Sequence, residues 1–241
     1  MKISVCMATY NGELYIRKQL HSILSQIGKN DEVIISDDGS IDETISIVES
    51  FADNRIQIIN NKRIKGPVLN FENALINSAG EIIYLADQDD IWEINKIRVM
   101  TEYLHKHDMV ICDAILIDNN GEVIKDSFYK LRNSGTGFLK NLFKNTYLGC
   151  CMAFNRKILE KSLPFPSNIP MHDIWLGMIG ELFGTTFFCK EKLVYFRRHT
   201  SSASSTGAKS KYSVYNKIMF RYFLLYQLSK RYVTLQKLHL Q

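Results

Sequence analysis

The sequence has no apolar run of the roughly 18 consecutive residues that a membrane-spanning helix requires. Its N-terminal apolar run ends by Tyr10 without a cleavage pattern, so a signal peptide is not expected. No CxxC pair occurs, and the five cysteines are odd in number and mostly embedded in apolar runs. These features argue against a zinc site and favour buried, reduced thiols in a cytosolic protein.

The glycine fingerprints of phosphate-binding loops are also missing. No GxGxxG follows the first predicted strand, and no GxxxxGK[ST] occurs anywhere in the chain. In those motifs, backbone N–H groups and a helix N-terminus hold the phosphates. A dinucleotide-dependent dehydrogenase and a P-loop NTPase are therefore both disfavoured.

Acidic residues are absent from the C-terminal end of the chain. Glu191 is the last acidic residue, although the net charge of the whole chain is only +5. The basic residues beyond it include Arg197, Arg198, Lys209, Lys211, Lys217, Arg221, Lys230, Arg231 and Lys237. This asymmetry indicates an anionic partner, either a phosphate-bearing ligand or an acidic membrane surface.

What the sequence does contain is a regular alternation of buried strands and amphipathic helices. Apolar runs at 3–8, 32–36, 56–59, 82–86 and 109–117 predict strands. Segments with the apolar spacing of helices lie between these runs. Asp90 with Glu93 and Ser40 with Glu43 have the spacing of helix capping boxes. The pattern predicts an α/β fold with a doubly wound, mostly parallel sheet. Residues 201–211 predict a mobile loop, and residues 214–240 a helical tail.

Polar residues collect where three predicted strands end. These residues are Thr9-Tyr10-Asn11, Asp37-Asp38 and Asp87-Gln88-Asp89. Ligands of open α/β sheets bind outside the carboxyl ends of the strands. Carboxylates can accept hydrogen bonds from a base or a ribose, and they can also hold Mg²⁺ or Mn²⁺ against phosphates. A solvated strand-to-helix turn, in which Asp90 serves only as a cap, is the competing interpretation of the third cluster.

The ordered set of motifs resembles the family 2 glycosyltransferases, inverting enzymes of the GT-A fold. The three clusters are followed by Met171-His172-Asp173-Ile174-Trp175, and the similarity covers roughly residues 1 to 200. His172-Asp173 followed by Tyr195-Phe196-Arg197-Arg198-His199 is most similar to bacterial rhamnosyltransferase-like members. Family members commonly have Glu-Asp at the His172-Asp173 position, so the histidine changes the local electrostatics.

The resemblance implies a role for each matching residue. Thr9, Tyr10 and Asp37 would contact the base, while Asp38 and Asp87 would contact the ribose or its surroundings. Asp89 would coordinate a Mg²⁺ or Mn²⁺ ion on the diphosphate, and Asp173 would be the general base. The other nucleotide-sugar and metal candidates are Asn11, Gln88, Asn70 and His199. Asp173 could instead act only as a helix cap.

The resemblance also implies the partners and the location of the protein. The donor would be a UDP- or dTDP-linked sugar, and the acceptor a hydroxyl of a growing, lipid-linked bacterial glycan. A catalytic domain at 1–205 would divide into a nucleotide-sugar half (1–117) and an acceptor half (118–205). The basic, aromatic-rich extension at 206–241 would contact the inner face of the membrane, pack on the domain or join a homodimer. No nucleic-acid partner is expected.

Two other classes remain open from the sequence. A nucleotidyltransferase would share a related sheet and metal use, but it typically has a Gly-rich, Arg-containing loop after the first strand. Thr9-Tyr10-Asn11-Gly12-Glu13 does not supply such a loop. A catalytically silent nucleotide-sugar-binding protein would keep the fold and lose the chemistry, although the expected carboxylates are all present.

Overall fold

The computed structural model of the chain describes residues 1–62, 64–198 and 213–238. The strands are β1 (Ile3–Thr9), β2 (Glu32–Asp37), β3 (Ile56–Asn60), β4 (Ile82–Asp87), β5 (Ile91–Trp92), β6 (Met109–Ile117), β7 (Val123–Lys125), β8 (Met152–Asn155) and β9 (Thr186–Arg197). The helices are α1 (Ile16–Leu24), α2 (Thr44–Glu49), α3 (Pro67–Ile76), α4 (Lys96–Leu104), α5 (Phe128–Arg132), α6 (Phe138–Phe143), α7 (Arg156–Ser162), α8 (His172–Phe183) and α9 (Val214–Leu238).

Nine strands of the described residues form one sheet. Its order is β3-β2-β1-β4-β8-β6-β9-β5, and β7 pairs with β6. The strands β1 to β4 are parallel, β8 runs against its neighbours β4 and β6, and β9 is parallel to β6. The short strands β5 and β7 are antiparallel to β9 and β6. The predicted α/β class with a doubly wound, mostly parallel sheet is confirmed.

The central strands are buried on both faces, which explains their continuous apolar sequences. Every residue of β2 is buried, and so are the first five residues of β4. Helices on the two faces of a parallel sheet remove its strands from water, so such strands do not alternate between apolar and polar residues. All five cysteines are buried and none forms a disulfide, as their apolar surroundings predict.

Neither predicted capping box forms. Ser40 donates its hydroxyl to Asp37 instead of capping a helix, and α2 begins only at Thr44. Asp90 is fully buried and accepts a hydrogen bond from the backbone N–H of Arg197. The helix predicted from residue 91 therefore starts at Lys96, because Ile91–Trp92 pairs as β5 with the end of β9.

The second half of the chain completes the sheet and adds the helices that face its end. The strand predicted at 109–117 and its hairpin turn are confirmed by β6 and β7. The apolar run at 150–154 begins as a 3₁₀ helix, Gly149–Cys151, before it becomes β8. The sequence analysis did not predict α5, α6 or α7. Each of them has at most seven residues, too few for a helical period to stand out.

The long C-terminal helix α9 packs on the domain along one side. Leu224 and Leu228 are buried, and the ring of Tyr232 stacks on that of Phe183 in α8. Arg231 donates to the backbone carbonyls of Lys161, Leu163 and Pro164. Within the described ranges, no helix combines the length and the apolar character needed to cross a bilayer. The loop predicted at 201–211 lies outside the described residues.

Candidate active site

A cavity of about 440 Å³ opens at the carboxyl ends of the parallel strands. Strand β1 pairs with both β2 and β4, which places Thr9 beside Asp37 and Ala8 beside Asp87. The cavity is lined by eight of the residues that the sequence analysis singled out: Thr9, Tyr10, Asp38, Asn70, Asp87, Gln88, Asp89 and Asp173. Separate loops therefore bring most of the predicted site together in one place.

Asp37 and Asn11 lie behind the cavity and do not line it. Asp37 is 2% exposed and accepts hydrogen bonds from Thr9 Oγ1 and from the backbone N–H of Gly39. It also accepts from the backbone N–H and the hydroxyl of Ser40. With four donors on two oxygens, this carboxylate ties the β1 and β2 loops together, and its contact with the base stays a prediction.

Asn11 also joins loops. Its backbone N–H donates to Ser40 Oγ over 2.9 Å, and its side-chain oxygen accepts from the backbone N–H of Ile41 over 3.0 Å. Its φ of 48° lies in the left-handed region, where asparagine is tolerated better than most residues. The residue fixes the course of the β1 loop, at the turn that follows Tyr10.

Asp38 is the carboxylate of the second cluster that faces the cavity. Its Oδ1 accepts from Asn61 Nδ2 at 2.6 Å, and its Oδ2 accepts from the backbone N–H of Gly66 at 2.8 Å. These bonds connect the end of β2 with the loop before α3. That loop carries Lys65, whose amine lies 5.2 Å from the centroid of the Tyr10 ring.

Tyr10 is held by its backbone while its ring remains 49% exposed at the cavity. The side-chain amide of Gln88 accepts from Tyr10 N over 2.9 Å and donates to Tyr10 O over 3.0 Å. Gly12 makes this possible, because a Cβ at that position would lie 2.4 Å from Gln88 Oε1. Gln88 therefore positions the aromatic ring in addition to lining the cavity.

Asn70 is 2% exposed and contributes an unused acceptor. Its Nδ2 donates to Thr9 O over 3.0 Å, whereas its Oδ1 has no partner among the described residues. Buried polar atoms are normally hydrogen-bonded. Asn70 lines the cavity, but its Oδ1 is itself closed off from solvent, so the unpaired acceptor lies within the cavity wall.

The carboxylates of Asp87, Asp89 and Asp173 line the cavity, and that of Asp90 is buried close to Asp87 and Asp89. Burial, and then the charges of Asp89 and Asp173, raise the pKa of Asp87 to about 7. Burial also raises the pKa of Asp90 well above its usual value, with Asp89 and Asp87 adding to the rise. Like charges at this density favour a bound cation, since a cation restores the ionised forms.

The donor atoms present fit a hard divalent cation. Asp87 and Asp89 offer carboxylate oxygens to the cavity, which is the ligand chemistry that Mg²⁺ and Mn²⁺ prefer alongside phosphate oxygens. Beneath them, ligand atoms of Asp87, Asp90 and Cys150 all lie within 4.8 Å of one another. His199, the other predicted metal ligand, lies outside the described residues.

Lys96 is a buried basic residue that the sequence analysis missed. It has no exposed surface, its Nζ donates to Cys150 O over 2.7 Å, and it lies 3.8 Å from the centroid of the Trp92 ring. Its charge lowers the pKa of Asp87 and so opposes the effect of burial. The spacing of Trp92 and Lys96, four residues apart after the acidic turn, is the sequence signal that could have revealed it.

Arg197 locks the acidic turn to the end of β9. It is 4% exposed, and its Nε donates to Asp89 O over 2.9 Å. Its Nη1 donates to the carbonyls of Asp118 and Asn119 over 2.7 and 3.0 Å. The side chain thus holds three backbone carbonyls in place and also lines the cavity.

Asp173 is the second residue of α8, and Met171 occupies the N-cap position. Its Oδ1 accepts from the backbone N–H of Ile174 at 2.6 Å and from Asn145 Nδ2 at 3.4 Å. Burial raises the pKa of Asp173 to about 6, although these hydrogen bonds oppose the rise. A carboxylate in a cleft with a pKa near physiological pH suits proton abstraction better than helix capping.

His172 adds no positive charge next to Asp173. Burial lowers its pKa to about 3, so the imidazole is neutral at physiological pH. Its ring centroid lies 4.0 Å from that of Phe71. A Cβ on Gly149 would lie 2.7 Å from His172 Nε2, so a glycine is needed where this ring packs. The change in electrostatics expected from a histidine at this position is therefore small.

The sheet, with the acidic cavity at the ends of its parallel strands, has the GT-A fold. A structure of Staphylococcus aureus TarS (1–349) in complex with UDP-GlcNAc superposes with a TM-score of 0.71 at 22% identity, over 93% of this chain and 66% of that one. A Pyrobaculum calidifontis mannosyltransferase, PcManGT, in complex with GDP-Man and Mn²⁺ gives 0.62 at 20% identity, over 85% and 58%. The chain thus spans under two thirds of these structures.

The family follows from the sequence comparison. Residues 4–163 match the model of glycosyl transferase family 2, and the chain belongs to this family. It is 28% identical to the Escherichia coli UDP-Glc:alpha-D-GlcNAc-diphosphoundecaprenol beta-1,3-glucosyltransferase WfgD, over 86% of this chain and 81% of that protein. It is 26% identical to the putative teichuronic acid biosynthesis glycosyltransferase TuaG of Bacillus subtilis, over 92% and 90%. The enzyme is a glycosyltransferase, as the motif order predicted.

Proposed function

We propose that this enzyme transfers a sugar, with inversion, from a nucleoside diphosphate to a hydroxyl of a growing bacterial surface glycan. One observation carries the proposal. Asp87, Asp89 and Asp173 line the same cavity as Tyr10 and Asp38, so the residues proposed to hold a metal, to stack on the base and to accept a proton lie together. The names of WfgD and TuaG, which concern a lipid-linked glycan and a cell-wall polymer, support the acceptor class.

The nucleotide would occupy the end of the cavity formed by the β1 and β2 loops. The exposed ring of Tyr10 would stack on the base, and Lys65 would stand beside it. Asp38, Asn70 and Asp87, which line the cavity, would contact the nucleoside. Gln88 would keep Tyr10 in place through its two backbone hydrogen bonds.

The transfer itself needs charge stabilisation and a base. A Mg²⁺ or Mn²⁺ ion held by Asp89, with Asp87 nearby, would neutralise the negative charge that develops on the leaving diphosphate. Asp173 would take the proton of the acceptor hydroxyl as that oxygen attacks the anomeric carbon from the face opposite the diphosphate. A positioned base of this kind is typically worth about 10²–10⁴-fold in rate. Attack from the opposite face inverts the anomeric configuration.

A uridine nucleotide is the favoured donor within this proposal. The name of WfgD includes UDP-Glc, and the TarS structure contains UDP-GlcNAc. The rhamnosyltransferase-like arrangement of His172 and Asp173 keeps dTDP-rhamnose as the second donor to test. Melting curves with UDP, dTDP and GDP, each with Mn²⁺, would identify the base, because a ligand that binds only the native state raises apparent stability.

Two carboxylate variants test the assigned roles. Asp89→Ala should remove the metal-dependent part of the UDP-induced rise in melting temperature and abolish transfer. Asp173→Ala should keep that rise and lose transfer. Glu102→Ala is the matched control, because this carboxylate is exposed and pairs with Arg98 one helical turn away. Near-normal turnover in either site variant would refute the role of that residue.

The reaction products separate the other two candidate functions. Release of pyrophosphate in place of a nucleoside diphosphate would identify a nucleotidyltransferase. Tight donor binding without turnover across a broad panel of acceptors would identify a nucleotide-sugar-binding protein. The convergence of Asp173 with Asp87 and Asp89 on one cavity supports glycosyl transfer over both alternatives, because it adds a candidate base for an acceptor hydroxyl to the candidate metal ligands.

A further inference from the structure

The first half of α9 has apolar side chains on its exposed side as well as on the side that packs on the domain. Its packed side includes Leu224 and Leu228, but six large apolar side chains of its first half are exposed: Tyr215, Ile218, Met219, Tyr222, Leu225 and Tyr226. Tyr215, Ile218, Tyr222 and Leu225 recur at spacings of three and four residues, so they follow one stripe of the helix. Ordinary surface helices present polar residues to water on that side.

A second element continues this apolar surface. Helix α6 exposes Leu139 and Phe143, at 65% and 64%, with Lys140 and Lys144 exposed next to them. The guanidinium of Arg221 in α9 donates to the backbone carbonyl of Phe143, which holds the two helices together. We call the surface formed by the exposed residues of α6 and of the first half of α9 the α6–α9 face.

The two segments that form the α6–α9 face carry charge of one sign, although Glu181 of α8 accepts a hydrogen bond from the backbone N–H of Gly137 at the start of α6. No Asp or Glu occurs between Asp126 and Glu160, the segment that contains α6, and none follows Glu191, the segment that contains α9. A second copy of the chain meeting this face across a two-fold axis would bring lysines against lysines. An anionic bilayer would instead attract them, at a strength of about fivefold in binding for each lysine near the surface.

The residue types also suit a lipid interface. Tyrosine has an apolar ring and a polar hydroxyl, and it is enriched where hydrocarbon meets water. Three of the six exposed apolar residues in the first half of α9 are tyrosines. Helices that lie in the interface plane combine aromatic and aliphatic residues on one side with basic residues at the margins.

We propose that the α6–α9 face docks on the surface of an anionic lipid bilayer. The segment that follows α6 reaches the cavity wall formed by Asp173, because Asn145, two residues beyond Phe143, donates to that carboxylate. Docking at this face would bring the headgroup of a lipid-linked acceptor toward the carboxylate assigned as the base, a consequence that rests on the proposed function. The docking itself rests only on the exposed side chains and their charge.

Vesicle co-sedimentation of the full chain tests the docking. Vesicles that contain phosphatidylglycerol should pellet the protein, pure phosphatidylcholine vesicles should not, and added salt should weaken the binding. Ile218→Ser with Tyr222→Ser should weaken binding at least tenfold. Its matched control is Ile76→Ser with Ile94→Ser, since all four residues are more than half exposed, at 58%, 67%, 55% and 81% respectively.

A second pair of variants tests the charge. Lys140→Gln with Lys144→Gln should weaken binding to the anionic vesicles by roughly twentyfold or more, if each lysine contributes as surface lysines typically do. Lys18→Gln with Lys29→Gln removes the same charge from exposed positions outside the face, and it should leave binding within about twofold of the wild type.

Three results would overturn the proposal: no preference for the anionic vesicles, an equal loss in the control variants, or a dimer that dissociates in the α6–α9 variants while vesicle binding persists. The last result would assign the face to a second copy of the chain. The UDP-induced rise in melting temperature, measured on every variant, separates this inference from the proposed function. If that rise remains while vesicle binding is absent, only the docking proposal fails.

Discussion

Burial and hydrogen bonding act in opposite directions on the carboxylate of Asp173. Burial raises its pKa to about 6, while the N–H of Ile174 and the amide of Asn145 stabilise the ionised form. An unperturbed aspartate would be ionised throughout the physiological range but would be a weaker base. The local structure therefore makes Asp173 more basic while it leaves the group mostly ionised at neutral pH.

A pH profile tests this balance. With saturating Mn²⁺, which favours the ionised form of Asp87, the transfer rate should be nearly constant above the Asp173 pKa of about 6. It should fall as pH decreases through that value, because protonated Asp173 cannot accept the acceptor's proton. Asp173→Asn should lower transfer by about 10²–10⁴-fold and remove that inflection. The rate of nucleoside diphosphate release at saturating donor measures both effects. Donor binding serves as the control for folding, and an Asp173→Asn profile that keeps the inflection would contradict the assignment.

At the residue scale, sequence alone identified which side chains gather at the site but not which of them face the ligand. Asp37 and Asp38 are adjacent in sequence, yet Asp37 is enclosed by four donors from the β1 and β2 loops while Asp38 faces the cavity. Alternation along a strand end does not reveal which of two neighbouring carboxylates faces the open side. Lys96 was missed for a different reason. Lysine is rarely fully buried without a partner, so its sequence position alone suggested an exposed residue.

Between elements, the loops after β1 and β4 are joined by one reciprocal contact. Gln88 both accepts from and donates to the backbone of Tyr10, and this contact needs the space left by Gly12. The position of the Tyr10 ring thus depends on a side chain from a different strand. Because the proposed nucleotide site uses that ring, the contact couples the donor end of the cavity to the acidic turn.

The Gly12→Ala variant should break this contact. Its Cβ would lie 2.4 Å from Gln88 Oε1, so the amide must move away from Tyr10. UDP affinity should fall about tenfold, the equivalent of one to two ordinary hydrogen bonds. Titration calorimetry of UDP with Mn²⁺ measures the loss. Gly28→Ala, which changes a glycine outside the cavity, should leave the affinity unchanged.

A double-mutant cycle distinguishes the contact from a general loss of structure. Gln88→Ala removes the clashing amide, so adding Gly12→Ala to it should cause little further loss of affinity. Full additivity of the two substitutions would show that they act independently, and it would contradict a role for the Gln88–Tyr10 contact in positioning the ring.

Secondary structure was predictable where a single periodicity ran for several residues. The long buried strands β1, β2, β4 and β6 were found from their apolar runs. Helix starts were harder to predict, because tertiary partners override local capping signals. Asp90 has a capping sequence, but its carboxylate accepts a hydrogen bond from the backbone N–H of Arg197, far along the chain. The residues after Asp90, Ile91–Trp92, pair with β9. No local pattern encodes a partner so distant in sequence.

Across the whole molecule, one continuous sheet joins the two predicted halves of the catalytic domain. Strand β8 pairs with β4 from the first half on one side, and with β6 on the other. Strand β6 in turn carries β9, which reaches back to β5. The core is likewise continuous, running from the residues of β1 to Trp175 in α8. Because the two halves share a sheet and a core, neither half is expected to unfold without the other.

The two tryptophans can test this cooperativity, since Trp92 lies in the first predicted half and Trp175 in the second. Both are nearly fully buried, at 3% and 0% exposure, so their fluorescence should change when their surroundings unfold. In urea, Trp175→Phe reports on Trp92 and Trp92→Phe reports on Trp175. Within each variant, fluorescence and far-UV circular dichroism should give the same midpoint, as expected for a single transition. A Trp92 signal that changes at a different urea concentration from the circular dichroism would show that residues 1–117 unfold independently of the rest.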